Sequence, residues 1–256
     1  MARQSRLDLS GYHHIVNHGV ARSKVYKCDA DKEKFLDLLC EACKIYKVNV
    51  HVYSLMDNNY HLLIETSSQN LSLFMRQINS TYAVYFNKKY KRIGHLWQGR
   101  YKSWHIIDEK HLYTLFRYIE HQPIRAKKTK HIGGYPFTLL GTMLDTGQEL
   151  IFCTRNSKLK NEFHNKGMRE LLETKFSKKE LIDLMLEQKK KIIQLEHTLK
   201  QEKDRTLEEH FKNAKELTKR NVSIMNALED GYKQAEIARY LNLTSSAVAK
   251  VKKIMT

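Results

Sequence analysis

Tyr118 and Gln122 stand four positions apart in LFRYIEHQPIRA (115–126), a spacing that puts a phenol and an amide on one face of a helix. A phenol that loses its proton is a nucleophile, and an amide oxygen can ligate a hard cation. A helical tyrosine more often packs than reacts. Here Leu112, Leu115, Phe116 and Ile119 already furnish an apolar face, which leaves Tyr118 and Gln122 displaced from it. A second stretch with a titratable group is LMDNNYHLLIE (55–65), which holds His61. The cysteine pair Cys40 and Cys43 sits inside a helical pattern with no second pair, so it reads as buried thiols rather than a zinc or redox site.

These residues need a scaffold, and the pattern supplies one. YHHIVN (12–17) is β-prone, and Phe35, Leu38, Leu39 and Ala42 then recur at helical spacing. VNVHVYSLM (48–56) and YHLLIE (60–65) flank the turn residues Asp57, Asn58 and Asn59, as in a hairpin. A helix over about 70–90 carries Leu73, Phe74, Ile78, Tyr82, Tyr85 and Phe86 on one broad face. GHLWQGR (94–100) interrupts it, YKSWHII (101–107) reads as a strand, and Asp108 is placed to cap EKHLYTLFRYIEHQ, which Pro123 ends. The βαββαβ succession predicts an α+β fold, a ferredoxin-like antiparallel sheet with packed helices, followed by an α-helical C-terminal region. The expected domains are 1–150, a helical connector over 151–215, and a helix-turn-helix-like module over 216–256 with Ala235, Ile237, Ala238, Leu241, Val248 and Val251 as its apolar set.

The segments LMDNNYHLLIE, GHLWQGRYKS (94–103) and LFRYIEHQPIRA, with the opening YHHIVNHGVARS, closely resemble the single-tyrosine HUH transposases over roughly residues 10–145, in the branch that includes the REP-associated tyrosine transposases. The resemblance implies a DNA strand transferase. In that family a tyrosine attacks a DNA phosphate, leaving a 5′-phosphotyrosine link and a free 3′-hydroxyl, with a divalent metal, Mg²⁺ or Mn²⁺, assisting. By this resemblance Tyr118 is the nucleophile, and His61, Gln122 and Asn59 surround the ion. The family places His-hydrophobic-His where this chain has Asn59-Tyr60-His61. An asparagine offers a carbonyl oxygen in place of an imidazole nitrogen, so weaker metal binding is expected. His13 and His51 are the strand histidines considered as substitutes for the missing ligand, while His14, His18, His95 and His105 read as surface or strand residues and Asp57 and Glu65 as hairpin residues.

Charge points to the same partner. Lys and Arg number 45 against 28 Asp and Glu, an excess of +17 that suits a polyanion. In KKYKRIGHLWQGRYKSWH (88–105) basic and aromatic residues alternate, which predicts contacts to single-stranded or hairpin DNA through Lys88, Lys89, Lys91, Arg92, Trp97, Arg100, Lys102 and Trp104. Ser245, Ser246 and Lys250 are the residues expected to face a duplex major groove. No apolar run approaches the roughly 18 residues of a spanning helix and no signal-peptide pattern opens the chain, so a cytoplasmic protein without a membrane partner is expected. Family members often act as pairs, which adds a homodimer to the implied partners. Two rival readings are a catalytically impaired DNA-binding regulator, favoured by Asn59, and an RNA-binding ferredoxin-like module, disfavoured by the Tyr-His-Gln arrangement.

Overall fold

The structure, a computed structural model, describes residues 9–145, 152–164, 166–174, scattered positions between 177 and 190, residues 206–212, 214 and 216–255. The chain divides into two compact units, Met1–Gln188 and Lys189–Thr256.

In the first unit β1 (Gly11–His18), β2 (Val48–Met56), β3 (Asn59–Thr66) and β4 (Lys102–Ile106) form one four-stranded sheet in the order β2-β3-β1-β4. Every pairing is antiparallel. With α1 (Asp29–Tyr46) and α2 (Leu71–Lys89) between the strands, this is the ferredoxin-like arrangement the βαββαβ pattern predicts. Residues 57 and 58 make the tight turn between β2 and β3.

Alternation divides the sheet into two unlike faces. On one, Ile15, Tyr60, Leu62 and Ile64 are buried against α1 and α2, with the Phe35 ring 4.9 Å from that of Tyr60 and the Tyr60 hydroxyl donating to Asn79 Oδ1 at 2.8 Å. The fully buried Asp31 holds the start of α1. Burial alone would raise its carboxyl, but bonds from Lys89, Tyr90 and the amides of Lys27 and Cys28 hold it at about 2. The other face carries His14, Val16, His61 and Leu63, all buried, and receives α3 (Glu109–Glu120).

Asp108 caps α3 as expected, its carboxylate accepting from the amides of Lys110 (2.8 Å) and His111 (3.4 Å). The helix stops at Glu120, and one separate turn, α4 (Gln122–Arg125), follows because Pro123 has no amide hydrogen to continue the ladder. Glu120 is buried and accepts from the Leu140 amide at the start of α5 (Leu139–Leu144); burial pushes its carboxyl up to about 8. The stretch 152–173, assigned by composition to the connector, adds Cys153, Leu159, Met168 and Leu172 to the same core. Through it and just beyond, α3 is tied on its outer side: α6 (Lys158–Glu162) accepts from the Tyr113 hydroxyl at Glu162 (2.8 Å), α7 (Lys166–Glu173) accepts from His121 Nε2 at Leu172 O (2.8 Å), and Arg117 pairs with Glu180 at 2.6 Å.

The second unit contains α8 (Leu207–Phe211), α9 (Leu217–Glu229), α10 (Gln234–Tyr240) and α11 (Ser245–Met255) around Ile224, Ala227, Ile237, Ala238 and Val248. Leu241 and Val251 pack against this core, whereas Ala235, expected in the apolar set, is exposed. Two left-handed residues end its helices. Gly231 (φ 82) lets the Tyr232 amide reach Ala227 O at 2.9 Å, and Asn242 (φ 53) lets the Leu243 amide reach Ala238 O at 2.8 Å. Thr244 then caps α11 by accepting from the Ala247 amide at 3.2 Å.

Candidate active site

Three rings from three elements meet on the α3 side of the sheet. The Tyr118 ring lies edge-on to His61 from β3, with centroids 5.6 Å apart, and edge-on to His14 from β1 at 5.9 Å. His14 Nε2 and His61 Nδ1 are 3.3 Å apart, and Trp104 from β4 stacks on His14 at 5.3 Å. Arg125 lies over the Tyr118 ring with its guanidinium carbon 5.5 Å from the centroid. Burial pushes His14 down to about 3, with a further contribution from the charge of His111; burial, then His14, His18 and Arg125, hold His61 well below the ordinary range. Both imidazoles are neutral at physiological pH and keep their lone pairs.

Beside these rings Asn59 and Gln122 line one cleft of about 530 Å³, together with Arg22, Lys24, Arg125 and Lys128. Each amide has its nitrogen engaged. Asn59 Nδ2 donates to Asn58 Oδ1 at 2.8 Å, and Gln122 Nε2 donates to Tyr118 O at 3.0 Å, where the backbone of a longer α3 would have bonded. Asn59 Oδ1 is left buried without a hydrogen-bond partner. A buried carbonyl oxygen in that condition is costly unless something electropositive reaches it. Among the described residues no three His, Cys, Asp or Glu side chains gather to hold a metal, so a cation here would rely on amide oxygens beside one imidazole. That donor set fits a hard ion such as Mg²⁺ or Mn²⁺.

The two histidines considered as substitute ligands lie elsewhere. His13 points to the opposite side of β1, bonded to Leu9 O at 2.8 Å and ring-packed on His105. His51 sits at a bulge in β2, where it meets Glu65 at 3.1 Å and accepts from the Lys158 amide at 3.0 Å. Glu65 is six residues along β3 from Asn59, about 20 Å at the rise of a strand. The histidine that does join the site is His14, whose partnership with His61 follows from the β1–β3 register, which pairs Val16 with His61 and sets His14 diagonally beside it. Asp57, at the cleft edge, is paired with Lys128 (2.8 Å) and Lys24 (3.7 Å).

The basic and aromatic residues of 88–105 separate into two groups. Lys88, Lys91, Arg100 and Lys102 are exposed, Trp104 is half-buried, and Arg92 donates to Asn87 over the Phe86 ring. Two others are engaged within the protein. Trp97 is 9% exposed, donates from Nε1 to Asn79 O and packs between Tyr60 and Tyr82, so its faces are covered by the core. Lys89 is bound to the buried Asp31 at 2.6 Å. In the second unit Ser245, Ser246 and Lys250 are exposed around the start of α11, with Ser246 Oγ 2.9 Å from Thr244 Oγ1.

With this geometry in view, residues 9–122 match the sequence model of the IS200-like transposases. Over these residues the chain is similar to that transposase family. Two solved structures are similar to it. One is a REP-associated tyrosine transposase bound to a REP hairpin, 17% identical, covering 59% of this chain and 90% of its own, at a TM-score of 0.47. The other is a candidate transposase from Deinococcus radiodurans R1, 19% identical, covering 48% and 98%, at a TM-score of 0.35. No curated protein matches the chain. Transposases of this family generally use a divalent metal. Among the described residues no helix is long and apolar enough to cross a membrane.

Proposed function

We infer that this chain cleaves and rejoins single-stranded or hairpin DNA with Tyr118 as nucleophile. Supporting the reading is one juxtaposition: the Tyr118 ring packs on His61 at 5.6 Å, and Asn59, its buried side-chain oxygen unpartnered, lines with Gln122 a cleft rimmed by Arg22, Lys24, Arg125 and Lys128. Tyr118 Oη attacks the phosphorus, the new P–O(Tyr) bond replaces the P–O3′ bond, the phenol gives up its proton, and the departing 3′-oxygen gains one. Because one phosphodiester replaces another, a second strand's 3′-hydroxyl can reverse the step without ATP. The rim cations offset phosphate charge that would repel a phenolate. Asn59, His61 and Gln122 would hold Mg²⁺ or Mn²⁺, which when bound supplies further charge neutralisation at the scissile phosphate. The exposed Lys88, Lys91, Arg100 and Lys102 contact the strand backbone, and Ser245, Ser246 and Lys250 present the helix-turn-helix-like unit to duplex DNA. Pairing of two copies belongs to the same reading.

A second reading, a regulator that binds DNA without cutting it, is favoured by the asparagine at position 59. Incubation of a labelled hairpin strand with protein and Mn²⁺ or Mg²⁺ separates the two. A denaturation-resistant adduct absent from Tyr118→Phe is the expected result. DNA retention without any adduct would establish the regulator instead.

A further inference from the structure

We propose that His14 is a positioning residue for the active site: its Nε2 takes the hydrogen of His61 Nδ1 and thereby presents His61 Nε2 to the divalent cation. This rests on the metal-dependent reading of the cleft. The His14 Nε2 to His61 Nδ1 distance is 3.3 Å, the ring planes lie within 20° and the centroids are 5.6 Å apart. That separation is the N···N distance plus one ring radius at either end, so the two nitrogens aim at each other along the line joining the rings. Lone pairs aimed head-on suit a shared hydrogen, whereas two ligands of one cation converge at an angle. Both side chains are almost wholly buried, at 5% and 6% exposure. Two lone pairs facing each other without water would repel, so one of the two nitrogens carries the hydrogen.

Which one follows from what His61 must do. If His61 is to offer Nε2 as a lone-pair ligand in its neutral form, the hydrogen has to sit on Nδ1, and His14 Nε2 is the acceptor. His14 can fill that role because its own ring is held. Trp104 stacks on it at 28° to its plane, and the edge contact with Tyr118 closes another side. The pair therefore links β1, β3 and β4 to the tyrosine helix and fixes both the tautomer and the angle of the ligand. Neither imidazole lines the cleft; His61 stands two positions from Asn59 on the same face of β3, and His14 stands beyond it on β1. His14 is thus a support for the single remaining imidazole, and no replacement for the one absent at position 59.

The test uses the full chain with ¹⁵N-labelled histidine. In the metal-free wild type, long-range ¹H–¹⁵N correlation is expected to find His61 with hydrogen on Nδ1 and a bare Nε2. Finding the hydrogen on Nε2 overturns the proposal without any variant being needed. Mn²⁺ titration followed by electron paramagnetic resonance gives the second measurement. His14→Phe, which keeps a ring to stack on Trp104 but offers no acceptor, is expected to weaken Mn²⁺ binding by roughly 10–100-fold and to move His61 toward the other tautomer. His14→Gln, which restores an acceptor, is expected to recover part of both. Wild-type Mn²⁺ affinity in a folded His14→Phe protein overturns the positioning role and leaves the metal reading intact. Failure of Mn²⁺ to bind the wild type overturns the metal reading itself.

Discussion

The two faces of the sheet share their strands and differ in almost everything else. Toward α1 and α2, Ile15, Tyr60, Leu62 and Ile64 meet Phe35, Phe74 and Tyr82; the Tyr60 and Tyr82 hydroxyls there have hydrogen-bond partners, and the Tyr26 hydroxyl is the buried exception. Toward α3 the buried set includes two neutral imidazoles, and the adjoining cleft holds an amide oxygen with no partner. The first face is what apolar burial produces unaided, at about 25 cal/mol for each Å² removed from water. The second retains groups that make folding harder, which a sheet tolerates when the other side supplies the stability.

The contrast can be broken most sharply at Tyr118. Tyr118→Phe should lower adduct formation by at least the order of a thousandfold while its melting temperature stays within a few degrees of wild type, checked by gel and by calorimetry. On the apolar side the reverse is expected: Trp97→Ala should lose about 3–5 kcal/mol of stability in urea titration. Its loss of DNA binding should track its unfolded fraction. Asn59→His replaces the orphaned amide oxygen with an imidazole and should raise Mn²⁺ affinity and adduct yield by roughly tenfold or more, read by the same resonance titration and gel.

Two smaller effects sharpen the picture. Glu120 has its carboxyl raised from 4.5 to about 8 by burial, so the folded state favours its protonated form. The sign follows: this group's contribution is fully favourable below 4.5 and is lost as pH climbs through the window to about 8. Glu120→Gln should therefore flatten the fall in melting temperature across that range, and an unchanged slope would assign the fall to other groups. Finally, Lys91→Gln should weaken DNA binding and reduce the salt slope by about one unit. Lys89→Gln should leave that slope nearly unchanged, because the ammonium of Lys89 already faces Asp31.

Local pattern was enough to read the hairpin around Asp57 and Asn58, the Asp108 cap and the spacing of Tyr118 from Gln122, since each depends on residues a few positions apart. Partnerships across long stretches of chain were not readable. His14 meets His61 only through a strand register set 47 residues away, and Lys89 is neutralised by an aspartate 58 residues earlier. Alternating basic and aromatic residues in 88–105 could not say that Trp97 turns inward, because Tyr60 and Tyr82, which receive it, belong to other elements. The polar composition beyond residue 151 hid the few apolar anchors, Leu159, Met168 and Leu172, that seat it on the core.

Those anchors carry the folded core past the end of the family match. A fragment ending with the transposase match at residue 122 would keep Tyr118, His61 and Asn59, yet it would strip Tyr113, Arg117 and His121 of Glu162, Glu180 and the Leu172 carbonyl. The helix that carries Tyr118 would then have one wall instead of two, so the placement of that phenol is borrowed from sequence outside the matched segment.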